Sequence, residues 1–131
     1  MTFNLEDNWQ NKSLEKLEKE YWGDPPYPSY LVARTHAIRK IQLNELTHDD
    51  VAMMLRQNFS LEYIVPLAIE RLEVNILIDE EGEVMEALLN LPAEFWRSHK
   101  SYWQTIKNLI EANKTNWTFT NYDKFDNSKP A

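Results

Sequence analysis

The sequence predicts an all-α fold, a compact single-domain bundle of about five to seven helices, and three observations carry that expectation. Val51, Met54 and Leu55 recur at i, i+3, i+4, and Val65, Ala68, Ile69 and Leu72 extend the same spacing to i+7. Two apolar stripes in succession should pack against each other. Thr47 and Asp50 form the signature of a capping box, with Asp in place of the usual Glu. Glycine occurs at only 2 of 131 positions, too few for the turns on which an all-β fold depends and too few for a Gly-rich phosphate loop.

The elements follow in order. Residues 1–12 carry Phe3, Leu5 and Trp9 among polar residues and read as a lead-in. Ser13 is placed to cap a helix with Leu14, Leu17 and Tyr21 on one face. Glu15, Glu18, Glu20, Lys16 and Lys19 then form its solvated face. Gly23-Asp24-Pro25-Pro26-Tyr27-Pro28 breaks that helix and stiffens the chain into an extended path. Tyr21, Trp22, Tyr27 and Tyr30 gather around this loop. They read as an aromatic plug over one end of the core, because buried aromatics contribute so much area to a small core. The alternative is a rigid surface for a partner.

From Ser29 to about Lys40, the residues Tyr30, Ala33, Ala37 and Ile41 share a helical face that Leu31 and Ile38 widen, with Arg34, Arg39 and Lys40 outside it. Leu43 and Leu46 flank a short link to the helix capped by Thr47, where Asp49 and Asp50 meet the positive end of the helix dipole. Asn58, Phe59 and Ser60 connect to the next helix, whose start is expected within a residue or two of Pro66. Val74-Asn75-Ile76-Leu77-Ile78 has no neighbour to pair with and reads as a buried connection rather than a strand. Val84, Ala87, Leu88 and Leu91 mark another helix, Pro92 opens a turn with Phe95 and Trp96, and Ser98 is placed to cap a long helix striped by Tyr102, Trp103, Ile106, Leu109 and Ile110. In the 117–131 tail, Trp117 and Phe119 are expected to fold back, and the last half dozen residues to be mobile.

Thr35-His36-Ala37-Ile38-Arg39-Lys40-Ile41, Leu46-Thr47-His48-Asp49-Asp50-Val51, Arg56-Gln57 and Ile64-Val65-Pro66-Leu67-Ala68 together resemble a family of small immunity proteins from bacterial contact-dependent growth inhibition (CDI) systems. The resemblance covers roughly Glu20 to Glu73 and continues more weakly to Trp96. Near Glu83-Val84-Met85-Glu86 the sequence departs from the longer loop and the Gly-Asp-Leu-Leu-like helix start of that family. The resemblance implies a binding protein that blocks the C-terminal domain of a toxin, and it implies no catalytic residues.

Composition is consistent with that implication. Twenty-one acidic against 14 basic residues leave a net charge of -7, a field that repels nucleic acid and attracts basic partners. The absence of cysteine removes disulfides and thiolate metal sites and fits a reducing cytoplasm. No run approaches the roughly 20 apolar residues that span a bilayer, and the first residues lack the pattern of a signal peptide. A cytoplasmic protein that engages neither membrane nor nucleic acid is therefore expected.

The candidate partner-binding residues are Asp79, Glu80, Glu81, Glu83 and Glu86, the densest charge in the chain. Such a cluster either favours a helix start and solubilises a loop, or matches a basic nuclease surface. Its spacing is not that of a calcium-binding EF-hand loop. His36 and His48 lack a metal-motif partner and are expected to pack or hydrogen-bond. No catalytic residue, metal or cofactor is therefore assigned. The expected function is one-to-one binding and neutralisation of a CDI toxin C-terminal domain with nuclease activity. The rivals are a regulatory adaptor without a toxin partner and a small hydrolase using His36, His48 or the acidic loop.

Overall fold

The computed structural model describes residues 5–26, 29–76, 82–113 and 119–130. Among them are eight α-helices: α1 (Leu14–Glu18), α2 (Tyr30–Ile38), α3 (His48–Arg56), α4 (Leu61–Val74), α5 (Glu83–Leu89), α6 (Ala93–Ser98), α7 (Lys100–Ala112) and α8 (Tyr122–Asp126). Five of these have seven or more residues, and short 3-10 turns lie at Trp9–Asn11 and Leu43–Glu45. No strand occurs among the described residues, and the fold is all-α as expected.

α4 is the central helix. Every residue from Tyr63 to Ile69 is buried, so the helix is apolar around its whole circumference there, as a helix surrounded by others must be. α3 packs against α5 most extensively and against α4 next. Val51, Ala52 and Met54 are fully enclosed between those neighbours.

The start of α4 differs from the expectation. It begins at Leu61, and Pro66 lies inside it. The carbonyl that loses its partner to Pro66 belongs to Glu62, an exposed residue in the first turn, where an unpaired carbonyl costs least. Burial of the flanking apolar residues outweighs the remaining cost. Ser60 occupies the N-cap in a left-handed conformation (φ 51°) and makes no side-chain cap; its hydroxyl donates to Glu18 Oε1 at 3.2 Å instead. Asn58 is also left-handed (φ 57°). The Phe59 N–H reaches back to Met54 O and the Asn58 N–H to Leu55 O, a Schellman ending for α3 with Asn in the glycine position.

The Thr47 capping box is present in full: the Asp50 N–H donates to Thr47 Oγ1 at 3.0 Å, and the Thr47 N–H donates to Asp50 Oδ2 at 3.2 Å. Arg34 on α2 adds a two-pronged contact to the same carboxylate, Nε to Oδ1 at 2.7 Å and Nη2 to Oδ2 at 2.5 Å. Burial by itself raises the pKa of Asp50, but the bonds from Arg34 and Thr47 prevail and hold it below the usual aspartate value.

α2 presents a different face to the core than its apolar spacing suggested. Thr35, Ile38 and Arg39 are buried, whereas Tyr30 is 76% exposed. Arg39 donates to Glu18 Oε1 at 2.6 Å and to Glu20 O at 2.9 Å, and its guanidinium lies 4.4 Å from the Trp22 ring centroid. Its Nε finds no partner among the described residues. The charge is thus desolvated but paired, as a buried cation requires. This pair turns Glu18 inward, away from the solvated face expected for it.

α6 extends through Ser98, so that residue ends one helix rather than capping the next. His99 (φ -136°, ψ 55°) makes the corner between α6 and α7, and its Nδ1–H donates to Phe95 O at 2.8 Å. The buried stripe of α7 is Trp103, Ile106 and Ile110. α8 was not foreseen. Phe125 is fully buried, stacked on Trp103 with ring centroids 4.9 Å apart and edge-on to Trp96 at 5.4 Å, and Phe125 O accepts from Trp103 Nε1 at 3.0 Å. Lys107 ties α7 to α8 through Tyr122 Oη and Asp126, bonds that raise its pKa above the ordinary lysine value. Phe119 is buried as expected; Trp117 and residues 77–81 lie outside the described residues.

Replacing Phe125 with Ala is expected to cost about 3–5 kcal/mol, read from urea unfolding midpoints. Asp50→Asn keeps the shape but removes the charge from Arg34 and is expected to cost about 2–4 kcal/mol at neutral pH. The folded-state pKa of Asp50 lies below its unfolded value of about 3.9. Its contribution is therefore complete above that value and is lost as pH falls through the lowered folded-state pKa. The stability gap between wild type and variant should narrow on acidification to about pH 2.5.

Candidate functional site

The acidic segment expected to meet a partner divides in two. Asp79, Glu80 and Glu81 lie outside the described residues. Glu83 and Glu86 stand in the first turn of α5, which follows Gly82, a residue whose positive φ of 73° suits glycine.

These two glutamates are in different situations. Glu83 is 43% exposed and faces Arg56, at the end of α3, across 3.6 Å. Exposed pairs of this length contribute little to stability and leave the carboxylate free to exchange partners. Glu86 is committed to the fold: its carboxylate accepts the backbone N–H groups of Thr120 at 2.7 Å and Asn121 at 2.9 Å, and its backbone O accepts from Asn121 Nδ2. Lys124 adds bonds to the backbone and side-chain oxygens of Asn90. Glu86 thus holds the approach to α8 against α5. Between them Arg56, Glu83, Glu86, Asn90 and Asn121 border an open polar groove of about 380 Å³.

A second groove of about 250 Å³ opens beside α2. Trp22 and Pro26 form one wall, Leu31, Val32 and His36 another, and Phe59 of the α3–α4 connection a third. The aromatics around the proline loop therefore do not plug the core: Tyr21 is 68% exposed and Trp22 lies partly open to solvent. The physical reason is the early end of α1, where Lys19 turns left-handed (φ 55°) and releases Tyr21 from the helical face. Tyr27 lies outside the described residues.

The histidines serve the fold. His36 Nδ1–H donates to Gly23 O at 3.1 Å, and the ring meets Trp22 edge-on. His48 Nδ1 accepts from Arg71 at 3.2 Å, which fixes the proton of a neutral ring on Nε2. Arg71 itself is half-buried, and desolvation lowers its pKa. Among the described residues, no group of three or more His, Asp or Glu converges as a metal site.

A family profile for CDI immunity proteins matches residues 16–106, most of the chain. The chain belongs to the CDI immunity proteins. The match runs from α1 into α7, beyond the Glu20 to Trp96 resemblance read from motifs. It includes the whole apolar groove of this immunity-family protein but leaves out Thr120, Asn121 and α8. No curated protein and no solved structure matched the chain. No helix of the described residues is long and apolar enough to cross a membrane.

Sequence reasoning missed Arg56, Asn90 and Asn121 as groove residues because their meeting depends on how α8 docks. Phe59 was legible only as part of a connection; its exposure follows from the left-handed residues on either side.

Glu86→Gln is expected to weaken the attachment of α8 and to lower stability by about 1–2 kcal/mol in urea titrations. A Glu83→Gln change should stay within about 0.5 kcal/mol.

Proposed function

We propose that this protein neutralises the C-terminal toxin domain of a CDI system by binding it one-to-one in the cytoplasm, and that the toxin domain is a nuclease. Membership in the CDI immunity proteins carries the reading. A nuclease domain presents basic surface to its nucleic acid substrate, and a chain of net charge -7 is its electrostatic complement. Asp79, Glu80, Glu81 and Glu83 supply the contact charge on this reading, while Glu86 positions the segment by anchoring α5 to the chain before α8. Neutralisation then requires no chemistry from the inhibitor, only that the covered toxin surface include or obstruct the route of its substrate.

Co-expression with the toxin domain encoded immediately upstream tests the proposal. Cell survival and a co-purifying one-to-one complex are expected. Raising salt from about 0.05 to 0.5 M should weaken the complex by at least about tenfold, because exposed charge pairs are screened. The absence of both rescue and complex would overturn the reading, and a complex indifferent to salt would overturn the acidic segment as its contact.

A further inference from the structure

We propose that the apolar groove beside α2 is the anchor pocket for the same toxin domain, taking an aliphatic or aromatic side chain flanked by a lysine or arginine. The inference rests on the proposed function and adds a second contact surface to it.

Six large hydrophobic side chains are exposed among the described residues; three of them, Trp22, Leu31 and Phe59, line this groove, and Tyr21 and Tyr30 are the chain neighbours of two of these. Only Val74 stands apart. Scattered exposed apolar residues need no explanation, but a cluster around a concavity marks an interaction surface.

The pocket is also held in shape before anything enters it. Trp22 is stacked against the buried Arg39 guanidinium, touches His36 and Phe59 edge-on with centroids 5.0 and 6.1 Å away, and donates its indole N–H to Glu20 at 3.2 Å. His36 in turn holds Gly23 O. Preorganised aromatic walls reduce the ordering cost of association.

Charge selects the occupant. Among the described residues no carboxylate lines the groove itself, but beside its walls Arg34 and Arg39 are taken up by Asp50 and Glu18, while Glu20, which accepts from the Trp22 indole, and Asp24 flank Trp22 and Pro26 in the chain. An apolar side chain with a cation beside it satisfies both floor and rim, and a basic nuclease surface offers that combination.

Position links the pocket to the acidic segment. Arg56 borders the polar groove beside Glu83, and the next residues along the chain, Gln57 and Phe59, border the apolar one. One partner resting on the end of α3 therefore reaches both, with an apolar anchor and a charged flank, the usual anatomy of a protein interface.

The test is calorimetric titration of the toxin domain with the full chain and with Leu31→Gln, Phe59→Ser and the control Leu31→Met. The two disruptive changes should each weaken binding at least about thirtyfold, the size expected for an anchor residue, with thermal midpoints close to wild type. The control should bind as wild type does. Unchanged affinity in both folded disruptive variants overturns the pocket while leaving the proposed function intact. No complex with the wild-type chain overturns both. A wild-type dimer that Leu31→Gln dissociates, seen by light scattering, would assign the pocket to a second copy and overturn the toxin as its occupant.

Discussion

Asp50 is the point at which α2 and α3 are fixed to each other. Its carboxylate closes the capping box that starts α3 and receives both prongs of Arg34 from α2, while Arg71 of α4 lies close enough to feel its charge. A carboxylate at 3% exposure is tolerated because both of its oxygens accept hydrogen bonds, two of them from a cation. The angle between α2 and α3 follows, and with it the spacing between Leu31 and Val32 on one side and Phe59 on the other. Arg39 repeats the device one turn further along α2, drawing Glu18, Glu20 and Trp22 onto the same helix. The groove is therefore shaped by these ion pairs together with the left-handed turns at Lys19, Asn58 and Ser60.

Fold class was legible from the sequence because the signals for it are local. The Thr47 cap, the stripe of α3 and the stripe of α7 depend on neighbours within two turns, and each lies where the spacing put it. Pro66 misled because its local cost is real but smaller than the burial of Tyr63 to Ile69, a tertiary quantity. Arg39 misled for the same reason: nothing adjacent in sequence tells that Glu18 and Trp22 will reach it. α8 has only five residues, and its stability comes from the slot between Trp96 and Trp103 that Phe125 fills.

The candidate site was legible as composition but not as geometry. Glu83 and Glu86 look equivalent in a charge run, yet one faces a half-exposed arginine and the other binds two backbone N–H groups. The difference is made by residues 34 and 35 positions away, beyond any local pattern. Glu83 is thus left near solvent while Glu86 is committed to holding the chain before α8, and the end of α3 borders both the polar and the apolar groove. Such a surface suits an inhibitor, which needs area, shape and charge and no reactive group.

The most direct test of that account is an in vitro titration of toxin-domain activity with sub-stoichiometric amounts of this protein, followed over time. A binding inhibitor removes activity in fixed proportion to the amount added, and the residual activity stays constant with longer incubation. Activity that continues to fall until a trace of this protein has silenced a large excess of toxin would show turnover and contradict the account.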